Sequence, residues 1–308
     1  MSRAGHEAKE TRISRREVLR LSLLTLAGML YAGCSARRIF ADRQVVKLLL
    51  ITDVHAGTID ILRPSNRLET NMLKAVLKLM PKNYFDRAIQ LGDMVVNTGT
   101  EQKDIENLRA NLSAFKELSC PQKHLVGNHD IRQITEDNLK KTFREFGLQD
   151  QFYGIEEFAN FQAVWLDQIT ENGVNGFLPE ERIDWLIRNI NPVMPTVIFS
   201  HQSLVPPDVS ENYLFRDRPQ DSYLVNGPEV WAAIRHLPIL AVVSGHTHLP
   251  SVIPADLTQM ISLPAFSEHL GINPQNPGVY SIFQTDGIKF FLSSYSGAAS
   301  VFKTEGSI

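Results

Sequence analysis

Residues 45–55 read VVKLLLITDVH, an apolar run broken by one lysine that stops at Asp53. A strand with one solvent face alternates apolar and polar side chains. A continuous run therefore points to a strand covered on both faces, inside a parallel or mixed sheet. The pattern recurs four times. RAIQLG (87–92) leads to Asp93, HLVG (124–127) to Asn128, His129 and Asp130, TVIFS (196–200) to His201, and ILAVVSG (239–245) to His246 and His248. Helical patterns lie between these runs. LETNMLKAVLKLM (68–80) spaces its apolar residues at helical intervals and stops before Pro81, and DIENLRANLSAFKEL (104–118) is a second such segment. LPEERIDWLIRNI (178–190) opens on acidic residues, which the helix dipole favours there. GVYSIFQ and IKFFLSS, joined at Asp286-Gly287, read as a hairpin that closes the chain. Alternation of this kind predicts an α/β layered fold.

Five strand patterns ending in Asp, His or Asn carry the functional argument, because ligands in α/β folds gather at the carboxyl ends of strands. Any one of these histidines, taken alone, reads as an ordinary polar residue closing a strand. Seven side chains in register read differently: Asp53, His55, Asp93, Asn128, His201, His246 and His248. Neutral imidazole and carboxylate suit Mn, Fe and Zn. Seven donors are too many for one ion and fit two that share a bridging carboxylate, an arrangement that clamps an in-line displacement at phosphorus. The glycines before Asp93, Asn128 and His246 read as positions of tight backbone turn. By contrast, His124 reads as structural within its strand, His236 as a surface residue, His269 as part of a solvated loop, and Cys120 as a small buried side chain.

Totals narrow the class. The 308 residues, 43% hydrophobic and 21% charged, suffice for one large domain or two small ones. A formal net charge of −3 argues against a surface built for a nucleic-acid backbone, and two cysteines provide no disulfide framework.

The ordered set DVH, GD, GNHD, SH and GHTH, spanning residues 53 to 248, resembles the calcineurin-like metallophosphoesterase superfamily. The resemblance implies a four-layer α/β/β/α sandwich of two mixed sheets, with a dinuclear metal site at the strand C-terminal ends. It implies one ion on Asp53, His55, Asp93 and His248, and a second on Asp93, Asn128, His201 and His246. Asp93 would be the bridge. The ions would be Mn, Fe or Zn, with Mn or an Fe/Mn pair favoured. His129 would protonate the leaving oxygen or stabilise charge there, with Asp130 as the candidate to orient it. A metal-bridging hydroxide would attack phosphorus directly.

Departures from related branches narrow the reaction. The protein Ser/Thr phosphatases extend the second motif as GDxxDRG, whereas this chain reads GDMVVNTG and lacks that phosphate-binding arginine. Purple acid phosphatases have tyrosine where this chain has Val96. GNHD with GHTH is closest in pattern to the bacterial phosphodiesterase-type branch. The expected function is hydrolysis of a small-molecule phosphodiester or diphosphate. The alternatives are a phosphomonoesterase of the same fold, a nuclease, which the acidic chain disfavours, and a non-catalytic phosphate-ester binding module. The polar, Pro-rich stretch 205–226 reads either as a rim over the metals, with Tyr213, Phe215, Arg216 or Arg218 meeting substrate, or as a surface insertion.

Residues 1–40 read as an address and 41–308 as the phosphoesterase domain. Arg15 and Arg16 precede the apolar stretch Leu21 to Tyr31, and SRREVLR resembles a twin-arginine export signal. The expectation is an exported, periplasmic or membrane-surface protein that meets the twin-arginine machinery. LYAGC resembles a lipoprotein site with Cys34 as the lipidated residue; cleavage near Ala36 and retention of the segment as an anchor are the alternatives.

Overall fold

The computed structural model describes residues 44–57, 68–170, 174–267, 278–297 and 299–307. Arg15, Arg16, Cys34 and His269 lie outside them. Among the described residues, no helix is long and apolar enough to cross a membrane.

Two six-stranded mixed sheets form the centre. The first is built from β1 (Val46–Ile51), β2 (Arg87–Gln90), β3 (Gln122–His124), β12 (Val279–Thr285), β13 (Lys289–Ser296) and β14 (Ala299–Ser307). Its order is β14-β13-β12-β1-β2-β3. Strands β1, β2 and β3 run parallel, and the other three are antiparallel additions. The second sheet comprises β4 (Gly154–Glu157), β5 (Gln162–Leu166), β8 (Thr196–Ser200), β9 (Ile239–Ser244), β10 (Ser251–Ala255) and β11 (Thr258–Ser262), in the order β10-β11-β9-β8-β5-β4. Here β5, β8, β9 and β11 are parallel, with β4 and β10 antiparallel at the edges. A short ribbon pairs β6 (Ile169–Thr170) with β7 (Gly176–Phe177).

Burial follows the strand pattern that opened the reading. Leu48 and Leu50 of β1 pack between the sheets with Phe199 of β8, Val243 of β9 and Phe283 of β12. Leu49 and Ile51 point the other way, against Leu73, Val76 and Leu77 of α1 (Leu68–Lys78) and Phe115 of α2 (Glu101–Phe115). On the far side, Val164, Ile198 and Val242 meet Leu186 of α5 (Glu180–Asn189) and Val230 and Ile234 of α6 (Gly227–Ile234). These are the four layers that the resemblance implied. Each fully buried aliphatic side chain in them contributes roughly 1.5–3 kcal/mol by leaving water.

A fourth cluster lies beyond β2 and β3. There α2 and α4 (Glu136–Glu145) cover Met94, Val95 and Val126, and α3 (Asn128–Gln133) begins at the third motif itself. The chain does not close on the expected hairpin. That hairpin forms, turning at Asp286 and Gly287, but β14 follows and adds a further strand to the sheet edge. Half of β14 faces solvent, so its sequence lacks the continuous apolar run that marks the others.

Candidate metal centre

The parallel strands of both sheets deliver their carboxyl ends to one place. Asp53 and His55 follow β1, Asp93 follows β2, Asn128 and His129 follow β3, His201 follows β8, and His246 and His248 follow β9. All seven predicted ligands are brought together and buried.

Their backbone is unusual. Asp53, His55, Asp93, His246 and His248 have φ of 54°, 49°, 54°, 67° and 62°, which makes them five of the seven non-glycine residues with positive φ among those described. Left-handed backbone costs a non-glycine residue of order 1 kcal/mol or more, and it persists only where surrounding structure over-determines it. Here it turns successive side chains inward from the strand ends.

Of the three motif glycines expected at tight turns, Gly92 has the left-handed backbone of one, with φ of 99°, whereas Gly127 and Gly245 are needed for another reason. Gly127 has an ordinary φ of −97°. It is required by proximity, since a Cβ there would lie 2.1 Å from Asp93 Oδ1. Likewise a Cβ on Gly245 would fall 1.9 Å from Thr52 Oγ1 and 2.6 Å from Asp53 Oδ2.

The donor atoms form two groups sharing one carboxylate. In the first, His55 Nε2 and His248 Nε2 face each other at 3.0 Å, with Asp53 Oδ1 at 3.6 Å and 3.5 Å from them. Asp53 Oδ2 is held by Thr52 Oγ1 and the His246 amide, whereas Oδ1 is buried and, among the described residues, receives no hydrogen bond. In the second, His201 Nε2 lies 3.1 Å from Asn128 Oδ1 and 3.3 Å from Asp93 Oδ2, with His246 alongside. Asp93 Oδ2 is also 3.7 Å from His55 Nε2, so it stands between the groups, while Asp93 Oδ1 accepts the His129 amide at 2.9 Å.

Backbone carbonyls meet two of the rings. His201 Nδ1 meets the Leu91 carbonyl at 2.9 Å, and His246 Nε2 meets the Asp221 carbonyl at 2.9 Å. A carbonyl only accepts, so the His201 contact puts a proton on Nδ1 and turns Nε2 toward Asn128 and Asp93, whereas His246 Nε2 also faces the donor nitrogen of Gln202, so these contacts do not select its tautomer.

Electrostatics favour ionised carboxylates and, at His55 and His246, neutral imidazole, whereas His201 is held toward its protonated form. Burial works against charge on Asp53 and Asp93, but the surrounding histidines prevail and hold both carboxyls well below the usual range. Burial pushes His55 and His246 down, to about 4 and about 3. For His201 burial acts downward too, but the Asp93 carboxylate outweighs it and raises the ring to about 9. A buried carboxylate oxygen without a donor, opposed imidazole nitrogens and a carboxylate shared by two groups fit cations between them. Together with the family reported below, the His/Asp clusters suggest a dinuclear metal site.

His129 sits at the edge of this arrangement, its ring against that of His55 with centroids 4.9 Å apart. Asp130 does not orient it. Both Asp130 oxygens are taken by backbone amides: those of Met94 and Val95 on Oδ1, those of Asp93 and Gly127 on Oδ2. Burial and the Asp93 charge push the Asp130 carboxyl up to about 7, and the amide donors oppose that shift. Its work is to pin the loop that carries Asp93. Asn97, in the place of the missing arginine's motif, donates to the His129 carbonyl at 3.2 Å.

The stretch 205–226 is packed over the second group. Phe215 is buried with its ring 5.0 Å from that of His246, Asn212 Nδ2 donates to the Thr247 carbonyl, and Asp221 supplies the carbonyl already described. Arg216 and Arg218 are largely exposed, with 60% and 61% of their side-chain surfaces open. Sequence reasoning missed Gln202, fully buried and 2.9 Å from His246 Nε2 through its own Nε2, with its Oε1 on the Gly176 amide. It also missed Gln168, which follows β5 on the same rim and is buried with neither amide atom hydrogen-bonded among the described residues. The signal was available: QAVWL (162–166) is another buried run ending in polar residues, and β5 runs parallel to β8.

Comparison with known proteins gives a family match. The calcineurin-like phosphoesterase family profile matches residues 46–250. No curated protein matches the chain. A dimetal phosphatase from Danio rerio shares the fold at 16% identity and TM-score 0.67, over 85% of this chain and 98% of its own. The purple acid phosphatase PPD1 from yellow lupin seeds aligns at 10% identity and TM-score 0.58, over 86% of this chain and 54% of its own. GAP50, the anchor in the inner membrane complex of Plasmodium, aligns at 10% identity and TM-score 0.55, over 86% of this chain and 89% of its own.

Proposed function

The chain belongs to the calcineurin-like phosphoesterase family, and from that premise we propose that it hydrolyses phosphodiesters or diphosphates in preference to phosphomonoesters. The observation that carries the preference is the neutral Asn97 beside His129, where the protein Ser/Thr phosphatases have a phosphate-binding arginine. A monoester brings two negative charges to the site and a diester one, so a site without that cation loses more on the monoester.

In this reading Asp53, His55, Asp93 and His248 hold one ion, and Asp93, Asn128, His201 and His246 hold the other. Such a pair supplies Lewis-acid polarisation of the phosphoryl oxygens and a water made nucleophilic at neutral pH. The protein's own groups do the rest. Asp93 keeps its charge because the histidines around it favour the ionised form. The Leu91 carbonyl holds His201 by Nδ1, and the Asp221 carbonyl and Gln202 hold the His246 ring by Nε2. His129 is fixed by its backbone, through its amide on Asp93 and its carbonyl on Asn97, and its ring lies on the side of His55. There it holds a proton for the leaving oxygen. Phe215 and the folded stretch around it pack against the site on the His246 side.

The test compares bis-p-nitrophenyl phosphate with p-nitrophenyl phosphate on Mn-loaded protein, with Asp93→Asn and His129→Ala as controls. Faster cleavage of the diester, lost in Asp93→Asn and reduced about 10²-fold or more in His129→Ala, is expected. Faster monoester cleavage overturns the preference. Silence on both substrates in protein shown to hold two metals overturns the enzymatic reading and leaves a phosphate-ester binding module.

A further inference from the structure

The two sheets do not close against each other at one side. There the edge strands β3 and β4 stand apart and leave a cavity of about 500 Å³, roofed by Phe143 of α4 and the turn at Leu148. None of its lining residues belongs to the candidate metal centre. Its size is that of a small-molecule site.

The charges lining it are unbalanced. Arg87 of β2 is ion-paired with Glu156 of β4. Lys123 of β3 is half-buried and, among the described residues, has no carboxylate partner: its ammonium lies 4.2 Å over the Trp165 ring and donates to Gln149 Oε1. Burial, and then the Arg87 charge, push Lys123 down to about 8. Holding two cations beside one cavity with a single carboxylate is unfavourable, and an anion between them reverses the cost. Around these heads the walls are mixed: Trp165, Phe143, Leu148 and Ile155 supply an apolar part, and Gln122, Gln149 and Gln151 a polar one.

We propose that this cavity is a second ligand site, taking a small organic anion whose carboxylate or phosphate head meets Lys123 and Arg87 and whose apolar body lies against Trp165, Phe143 and Leu148. A planar aromatic anion matches both halves. The site is independent of the hydrolytic reading and stands whichever ester the metal centre prefers.

The experiment is calorimetric titration of the full chain with 2-naphthoate at neutral pH, against the uncharged 2-naphthylmethanol and inorganic phosphate. Variants are Lys123→Met, Leu148→Trp and, as a control for binding at the metal centre, Asp93→Asn. The expected result is one saturable equivalent of naphthoate, weakened about tenfold or more in Lys123→Met, the scale of one charge-assisted hydrogen bond. Leu148→Trp fills the cavity with the charges intact and abolishes binding, while Asp93→Asn binds as the parent does. Competition by inorganic phosphate shows that the head site accepts phosphate as well as carboxylate, and its absence restricts the site to the carboxylate form. Lys123→Met and Leu148→Trp keep a cooperative melting transition and the parental circular dichroism spectrum, which shows that they fold. Three results overturn the proposal: no saturation at millimolar naphthoate, equal binding in Lys123→Met and Leu148→Trp, or loss in Asp93→Asn alone. Equal affinity for 2-naphthylmethanol removes the role of charge and overturns it too.

Discussion

Asp130 and Gly127 act on the metal centre through the backbone. The Asp130 carboxylate gathers the amides of residues 93, 94, 95 and 127, and these set the left-handed turn at Asp93. Replacing it with Asn puts an N–H₂ donor against N–H donors. Asp130→Asn is expected to destabilise the fold by about 1–3 kcal/mol, the cost of a buried donor left unpaired. It is also expected to lower metal content in elemental analysis. If Asp130 instead oriented His129, the variant would shift the pH-rate profile at full metal occupancy, a result the amide contacts argue against. Gly127→Ala makes the companion case. Its methyl would meet Asp93 Oδ1 at 2.1 Å, so Asp93 must move. Metal content and diester hydrolysis are both expected to fall together, and an alanine variant with normal activity would show that the loop yields.

Among the elements, β3 lies earlier in the chain than the run HLVG (124–127) indicated. Only Gln122 to His124 pair in the sheet, and Leu125 to Gly127 already belong to the loop that carries the third motif. His124 is buried between the rings of Phe115 on α2 and Phe143 on α4, with centroids 4.7 Å and 6.0 Å away. Burial, and then the Lys123 charge, push it down to about 3. The unfolded chain protonates this residue near 6.5, and the folded chain resists until about 3. Its contribution to stability is therefore complete above 6.5 and is lost as pH falls through that window, at up to about 1.4 kcal/mol per unit. His124→Phe is expected to flatten the acid limb of a denaturation series between pH 6 and pH 4, and an unchanged limb assigns the acid sensitivity to other groups. α2 shows a smaller departure. It begins at Glu101 rather than Asp104 because the Thr100 side chain accepts from the Lys103 amide and caps it.

At the scale of the whole molecule, the site joins the two sheets. Asp53, His55, Asp93 and Asn128 come from the first, and His201, His246 and His248 from the second. Ions held between them would cross-link the layers, so chelation should act on global stability as well as on activity. An ion at about 100 times its dissociation constant adds about 2.7 kcal/mol, and for a domain of this class each kcal/mol moves the melting temperature by about 2–4 °C. Chelator treatment is thus expected to lower the melting temperature by several degrees, reversibly on adding Mn. Melting unchanged by chelation of a sample that held two metals would show that the ions do not link the sheets.

The continuous apolar runs determined the layering by themselves, because only a strand covered on both faces can carry no polar alternation along β1, β8 or β9. The polar residues after each run determined where the donors lie, since strand direction fixes which ends meet. Three things were settled only by tertiary packing. Asp130's partners are backbone amides, which no side-chain pattern reveals. Gly127 and Gly245 are needed for contacts with Asp93, Thr52 and Asp53, residues distant in the chain. β14 and the packed stretch 205–226 are half-exposed or irregular, so neither has a periodicity to read. The place of 205–226 follows from partners distant in the chain, His246 and Thr247, whereas β14 pairs with β13, the strand before it.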